Sequence, residues 1–283
     1  GDQQIFLPHV YRWCRRRRIP FVAYVGTAHS LDSNFKSKVM NALFAAGTLR
    51  IYKKNPVLAK TSAAKEELRQ LGVPHAVIAP VGLDTAVLKK NIPADEKMRL
   101  RKEHGFEADD VILCNVSRLS WEKRPLELID LFLQVKGKKK FKLIIVGNGP
   151  LEEELNEKIR KNGLEKEVKI YPNVPYEKMW EIYEMSDYYL NMNKGEIFGM
   201  AIMEAVYYKT SVAAIRALGP SVTLKDMKGH KLCENDDEMA EWITGPYPSE
   251  KDLQESSEKM AATFTWDRCA DAFLQASSEK SSR

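Results

Sequence analysis

From residue 111 onward, short apolar runs alternate with stretches in which apolar residues recur every three or four positions. Continuous apolar runs suit strands buried on both faces, and the recurring pattern suits helices with one buried stripe. The alternation therefore predicts parallel strands joined by crossover helices. Strands are expected over residues 111–116, 141–146, 168–171, 188–192 and 211–215. Pro125 stands where the first helix begins, with Leu126, Ile129 and Leu133 along one face. Further helices are expected over residues 151–161, 176–184 and 199–208, the first of them stopped by Gly163. Such a succession makes one doubly wound α/β domain.

Before residue 100 the pattern is thinner. Apolar runs over residues 21–25, 56–59 and 75–79 predict three strands, with a helix over 62–70 closed at Leu71-Gly72. Three strands are few for an independent α/β domain, so this part reads as the trailing half of one whose leading strands lie outside the chain. The tail carries three helical stretches, over residues 236–243, 248–262 and 266–276, and no strand. It is expected to pack back across both halves. The expected division is residues 1–100, residues 101–262, and a last helical segment 263–283 returning to the first part.

Composition narrows the classes without naming a function. With 283 residues and 44% hydrophobic positions, the chain is long enough for about two domains. No stretch approaches the roughly 18 apolar residues of a membrane span, and no low-complexity segment suggests disorder. Cys14, Cys114, Cys233 and Cys269 lie far apart with no histidine at metal-ligand spacing. A reduced cytoplasmic protein without structural zinc is the expectation. The chain starts at Gly1 without Met or a signal-type segment, and is expected to begin inside a longer product.

Net charge is +5, and one cluster concentrates it: Arg12-Trp13-Cys14-Arg15-Arg16-Arg17-Arg18. One reading is contact with an anionic surface, either lipid headgroups or a phosphorylated acceptor. The other is a solvated helix face ahead of a strand. A nucleic-acid role lacks interleaved aromatics and any recognition motif.

In an open α/β sheet a ligand sits at the carboxyl ends of the strands, so the residues following each strand carry the candidate chemistry. After Val116, Arg118 and Lys123 flank a strand-to-helix turn, where two cations suit a diphosphate. Arg118 could equally pair with a neighbouring carboxylate. After Val146, Gly147-Asn148-Gly149-Pro150 lets a backbone come close to a ligand. Glu152 replaces the third glycine of a dinucleotide fingerprint, and no phosphate-binding G-x-x-x-x-G-K-[ST] loop occurs. After Met192, Glu196 precedes a helix starting near Gly199, and Glu204 lies inside that helix. The N–H groups of Phe198, Gly199 and Met200 would point into the same cleft, which favours a polar, negatively charged ligand. A carboxylate ahead of a helix can be only a cap. Glu204, among Ile202, Met203, Ala205 and Val206, requires a partner if it faces inward.

These segments, SRLSWEKR (residues 117–124), IIVGNGPLEEEL (144–155), VKIYPNVPYEKMWEIYEMSDYYLNMN (168–193) and EIFGMAIMEA (196–205), resemble the donor-binding domain of the group 1, or family 4, retaining glycosyltransferases of GT-B fold. The likeness runs over residues 111–243, and Phe264-Thr265-Trp266 resembles the family's returning helix. It implies a complete C-terminal donor domain and a partial N-terminal acceptor domain, both Rossmann-like.

The implied activity is transfer of a sugar from a nucleoside-diphosphate sugar to a glycan, lipid-linked or small-molecule acceptor with retention. By the resemblance, Arg118 and Lys123 hold the diphosphate, Glu196 contacts the transferred sugar and Glu204 the ribose. Gly147, Ile197, Phe198, Gly199 and Met200 line the donor, Asn173 and Val174 stand at the nucleobase, and His29 faces the reacting centre. No cofactor or metal is implied: two cations can stabilise the leaving diphosphate, and Asp109-Asp110 and Asp236-Asp237 look like exposed loop or helix-start pairs. Surface-polysaccharide assembly at the inner face of a membrane is in keeping with the resemblance.

The chain departs from the family where Ile197 replaces a glycine, where Tyr207-Tyr208-Lys209 replaces small residues, and where Leu218-Gly219-Pro220 replaces a glycine pair. Two alternatives remain open: a nucleotide-sugar-binding module that transfers nothing, and a sugar-nucleotide epimerase of the same fold.

Overall fold

The computed structural model describes residues 3–26, 39, 42–43, 47–89 and 92–278, and within them two parallel sheets form. They belong to two compact units, Gly1–Gly82 with Phe264–Arg283, and Leu83–Thr263.

In the first unit, β1 (Ala23–Val25), β2 (Val57–Ala59) and β3 (Val77–Ile78) lie side by side in that order. Alternation along β2 sends Val57 and Ala59 to one face, against Leu68 and Val73, and Leu58 to the other. Leu58 meets Cys269, Ala272 and Ala276 of the helix Trp266–Ser278, which covers that face. Helix Ser62–Gln70 begins cleanly because the Thr61 side chain accepts the N–H of Ala64 at 3.0 Å.

In the second unit, β4 (Val111–Val116), β5 (Phe141–Val146), β6 (Val168–Tyr171), β7 (Tyr188–Asn191), β8 (Ser211–Ile215) and β9 (Lys231–Cys233) form one sheet in the order β6-β5-β4-β7-β8-β9. Sequence order reverses between β4 and β7. In a doubly wound sheet the crossovers on either side of that reversal cover opposite faces, which leaves a crevice at the carboxyl ends of β4 and β7. Leu113, Leu143, Ile145, Leu190 and Ala213 face one core layer with Leu128, Phe132 and Leu155 from the helices Pro125–Val135 and Glu152–Lys161.

The structure differs from the sequence expectations at several points. The boundary expected at residue 100 falls after Gly82. An unpredicted helix, Glu96–Glu103, is fastened to the second unit by Arg101, which donates to Asp187 at 2.6 Å and to the Met185 carbonyl at 2.9 Å. Of the tail helices, Asp236–Thr244 and Glu250–Thr263 belong to the second unit and Trp266–Ser278 to the first. β9 adds a sixth strand to the five expected. Of the acidic pairs, Asp236-Asp237 opens helix Asp236–Thr244, with Asp236 paired to Arg124, whereas Asp110 is buried and accepts the Glu107 N–H at 2.7 Å.

No helix of the described residues is long and apolar enough to cross a membrane. The four cysteines are buried and free.

Candidate functional site

The crevice at the β4–β7 reversal is where the sequence candidates collect. A 3₁₀ turn, Trp121–Lys123, follows β4, and Lys123 reaches from it across to the loop that leaves β7. Its Nζ donates to Glu196 Oε2 at 2.9 Å. Asn193 Nδ2 donates to the same oxygen at 3.1 Å, and the Phe198 N–H adds a backbone bond. Asn193 is fixed in turn, with its N–H on Asn191 Oδ1 at 3.0 Å and its Oδ1 accepting from the Gly195 N–H at 2.9 Å. Burial works to raise the Glu196 pKa, but Lys123, Asn193 and Phe198 together outweigh it and hold the carboxyl below the ordinary glutamate value. The result is an ionised carboxylate clamped against an ammonium in a partly buried cleft.

Arg118 goes elsewhere. Its side chain is 76% exposed and donates to Glu122 Oε1 at 2.9 Å, one turn along. The two cations that the sequence sets around one turn therefore do not converge on a single partner: one pairs with Glu196 in the cleft, the other with Glu122 on the surface.

The glycines after β5 lie tight against the β4 exit loop. A Cβ on Gly147, whose φ is +138°, would stand 1.9 Å from the Ser117 carbonyl oxygen, and one on Gly149 2.5 Å from that of Leu119. The close approach is thus to the β4 exit loop, which the backbone bonds Leu119 N–H to Asn148 O (2.8 Å) and Leu151 N–H to Leu119 O (3.0 Å) tie down. Asn148 Nδ2 in turn donates to Pro172 O at 3.1 Å, holding the loop that carries the exposed Asn173 and the half-buried Val174.

Gly199 adopts φ +87° as the cap of helix Met200–Tyr207, a left-handed turn that a residue with a Cβ would take at a cost. Phe198 is buried, Ile197 half-buried and Met200 exposed. The loop from Glu196 to Gly199 is held from outside by Gly219, whose N–H donates to Glu196 O at 2.8 Å and whose missing Cβ leaves room for the Phe198 backbone. Glu204, inside the helix, is 8% exposed and accepts the Tyr183 hydroxyl at 2.8 Å. It borders a small cavity shared with Tyr176, Trp180 and Lys89. Burial pushes its pKa up, opposed by the Tyr183 bond.

The structure thus brings Lys123 and Glu196 together, sets Glu204 in the next helix, and leaves Arg118 outside their contact. His29 lies outside the described residues. Sequence reasoning missed Asn193, Gly219, Tyr183 and Arg124. Asn193 could have been found as the first polar residue beyond β7; the others act through contacts distant in sequence.

Comparison with known proteins gives the same region a family. The model of the glycosyl transferases group 1 matches residues 96–260. The chain is 26% identical over 297 residues to a D-inositol 3-phosphate glycosyltransferase of Mycobacterium avium, covering 93% of this chain and 65% of that protein. It thus spans just under two thirds of that relative. It is 24% identical over 139 residues to an alpha-monoglucosyldiacylglycerol synthase of Streptococcus pneumoniae, covering 48% of this chain and 32% of that one. Among solved structures, Anabaena Alr3699/HepE in complex with UDP and glucose superposes with a TM-score of 0.78 at 19% identity, over 99% of this chain and 76% of that one. Sucrose-phosphate synthase from Thermosynechococcus elongatus does so with a TM-score of 0.76 at 17% identity, over 93% and 69%. These likenesses show a GT-B glycosyltransferase fold.

Proposed function

The chain belongs to the group 1 glycosyl transferases, and from that premise we propose that the protein transfers a hexose or related sugar from a nucleoside-diphosphate sugar to a glycan, lipid-linked or small-molecule acceptor, with retention at the anomeric carbon. The observation that carries the proposal is the Lys123–Glu196 contact at the β4–β7 crevice. Breaking the sugar–phosphate bond puts negative charge on the leaving diphosphate, and a fixed cation at that point stabilises the transition state more than the ground state. Glu196 keeps Lys123 in place. The ion pair itself is neutral, so the exposed Arg118 supplies the net positive charge that closes over the phosphates. Glu196 has oxygen lone pairs left for sugar hydroxyls, and Glu204 for the ribose.

With those two cations on the diphosphate, the scheme needs no metal, and chelation with EDTA should leave turnover unchanged. UDP, which is bound in the Anabaena structure, is the first donor nucleotide to try, with GDP next. The reading extends to a site of action in the cytoplasm, at the inner face of a membrane. The arginine run at residues 12–18 would contact anionic headgroups, supported by the exposed Phe6, Val10 and Trp13 on helix Gln3–Arg16.

The test is incubation with radiolabelled UDP-glucose or GDP-mannose and a glycan or lipid acceptor panel, with anomeric configuration read by NMR. A product of inverted configuration would defeat the retaining assignment. Donor binding without transfer or hydrolysis, also in a form extended at the amino end, would make the chain a binding module.

A further inference from the structure

We propose that Arg124 and Asp236 form a positioning pair that sets the Lys123–Glu196 contact; the inference rests on the donor-site reading above. Lys123 and Arg124 are neighbours in sequence, yet they grip opposite ends of one loop. Lys123 holds Glu196 at 2.9 Å, while Arg124 Nη1 donates to the Met192 carbonyl, at the start of that loop, at 3.3 Å. The guanidinium also forks onto Asp236, Nη1 to Oδ1 at 3.0 Å and Nη2 to Oδ2 at 2.8 Å. With a side chain 14% exposed, Arg124 is too enclosed to serve as a surface charge, and its donors are already committed. Asp236 is a firm anchor, since it opens helix Asp236–Thr244 directly after Asn235, whose side chain caps the Glu238 N–H at 2.9 Å.

The backbone adds a second, independent observation. Arg124 has φ 55° and ψ 48°, a left-handed conformation in which a Cβ crowds the following carbonyl, and it precedes a proline, which restricts it further. Glycine would take this turn freely. An arginine there is explained by what its side chain holds: the left-handed turn sends Arg124 towards Met192 and Asp236 while Lys123 faces Glu196. Strain at such a point, compensated by a bidentate ion pair, is a means of fixing a neighbouring functional group.

Arg124→Gly gives a clean test, because it keeps the left-handed turn and removes only the side chain. Two readouts are taken on the full chain. One is the rate at which acetic anhydride acylates Lys123, followed by mass spectrometry with Lys97 as internal reference. The other is the affinity for UDP, GDP and ADP against the parent nucleosides. The proposal predicts that Lys123 is acylated several-fold faster in Arg124→Gly and in Asp236→Asn, with no further rise when the two are combined. It predicts that nucleoside-diphosphate affinity falls on the order of tenfold, the size seen when a group orienting a ligand contact is lost, while nucleoside affinity is unchanged. Equal acylation rates in wild type and Arg124→Gly would overturn it. So would equal loss of nucleoside and nucleoside diphosphate. If the wild type binds none of the nucleotides, the donor reading fails, and the acylation rates still decide the positioning role.

Discussion

Lys123 and Glu196 are 73 positions apart in sequence and 2.9 Å apart in space, each just beyond the carboxyl end of its own strand. Truncating Lys123 to alanine should lower turnover by roughly 10²–10³, the usual cost of losing one preorganised donor to developing charge. The partner left behind gives an acid-stability signature. Glu196 has a depressed pKa in the folded protein, so its contribution is present above the ordinary glutamate pKa and is lost as pH falls through the lower folded value. The stability gap between wild type and Lys123→Met, measured by urea unfolding, should be widest near neutrality and close on acidification. A gap independent of pH would show that Glu196 gains nothing from Lys123.

Glu204 has the opposite sign. Burial raises its pKa, so stability from this group is complete below the ordinary glutamate value and declines as pH rises through the folded one. Glu204→Gln keeps an acceptor for the Tyr183 hydroxyl and removes the buried charge. The variant should be more stable than wild type at neutral pH, by about 0.5–2 kcal/mol as for other residues kept for function. The gain should fade towards pH 4, and nucleotide affinity should drop. Urea midpoints at the two pH values check the first part and calorimetry the second.

Much of this was legible in the sequence, and what was not has physical causes. The central strands β4, β7 and β8 declare themselves because parallel strands buried on both faces are close to continuously apolar. β9 does not, since Lys231-Leu232-Cys233 is three residues at a sheet edge. Helix Glu96–Glu103 has almost no apolar face; Arg101 anchors it through Asp187, a contact no local pattern reveals. Lys123, Glu196 and Glu204 were visible as charges beside strand ends or inside an apolar helix. That Lys123 pairs with Glu196 depends on strand order, which spacing does not encode, whereas the local Arg118–Glu122 pair was one of the two readings the sequence left open. Gly147 was seen as a point of close approach, but what it approaches, Ser117, lies in another loop. The role of Arg124 rests on a left-handed turn and on contacts with Met192 and Asp236, 68 and 112 positions away, which no local pattern reveals.

Gly219 tests whether the loop's outer support matters. A Cβ there would come within 2.4 Å of the Phe198 nitrogen and push the Glu196 loop off its bond. Gly219→Ala should cost about 1–3 kcal/mol of stability, as overpacking does, and should weaken nucleotide binding beyond what Gly195→Ala does. Thermal melts with and without nucleotide separate the two effects.

The amino-terminal helix carries the membrane part of the proposal. Trp13 is half-exposed and lies under the Arg17 guanidinium at 4.6 Å. Phosphatidylglycerol vesicles should blue-shift tryptophan emission, and phosphatidylcholine vesicles should not. Salt and Arg15/Arg16/Arg17→Gln should weaken the effect. Equal binding to both vesicle types would remove the arginine run from the account.

The central claim is a nucleoside-diphosphate site built around Lys123, and thermal shift with UDP, GDP, ADP and NAD, run on wild type and Lys123→Ala, tests it most directly. At about 100 times its dissociation constant a ligand stabilises the native state by roughly 2.7 kcal/mol. The account predicts that at least one nucleoside diphosphate raises the melting temperature by several degrees, that Lys123→Ala loses most of that rise, and that NAD gives none. A shift with NAD alone, or nucleoside-diphosphate shifts of equal size in both proteins, would contradict it.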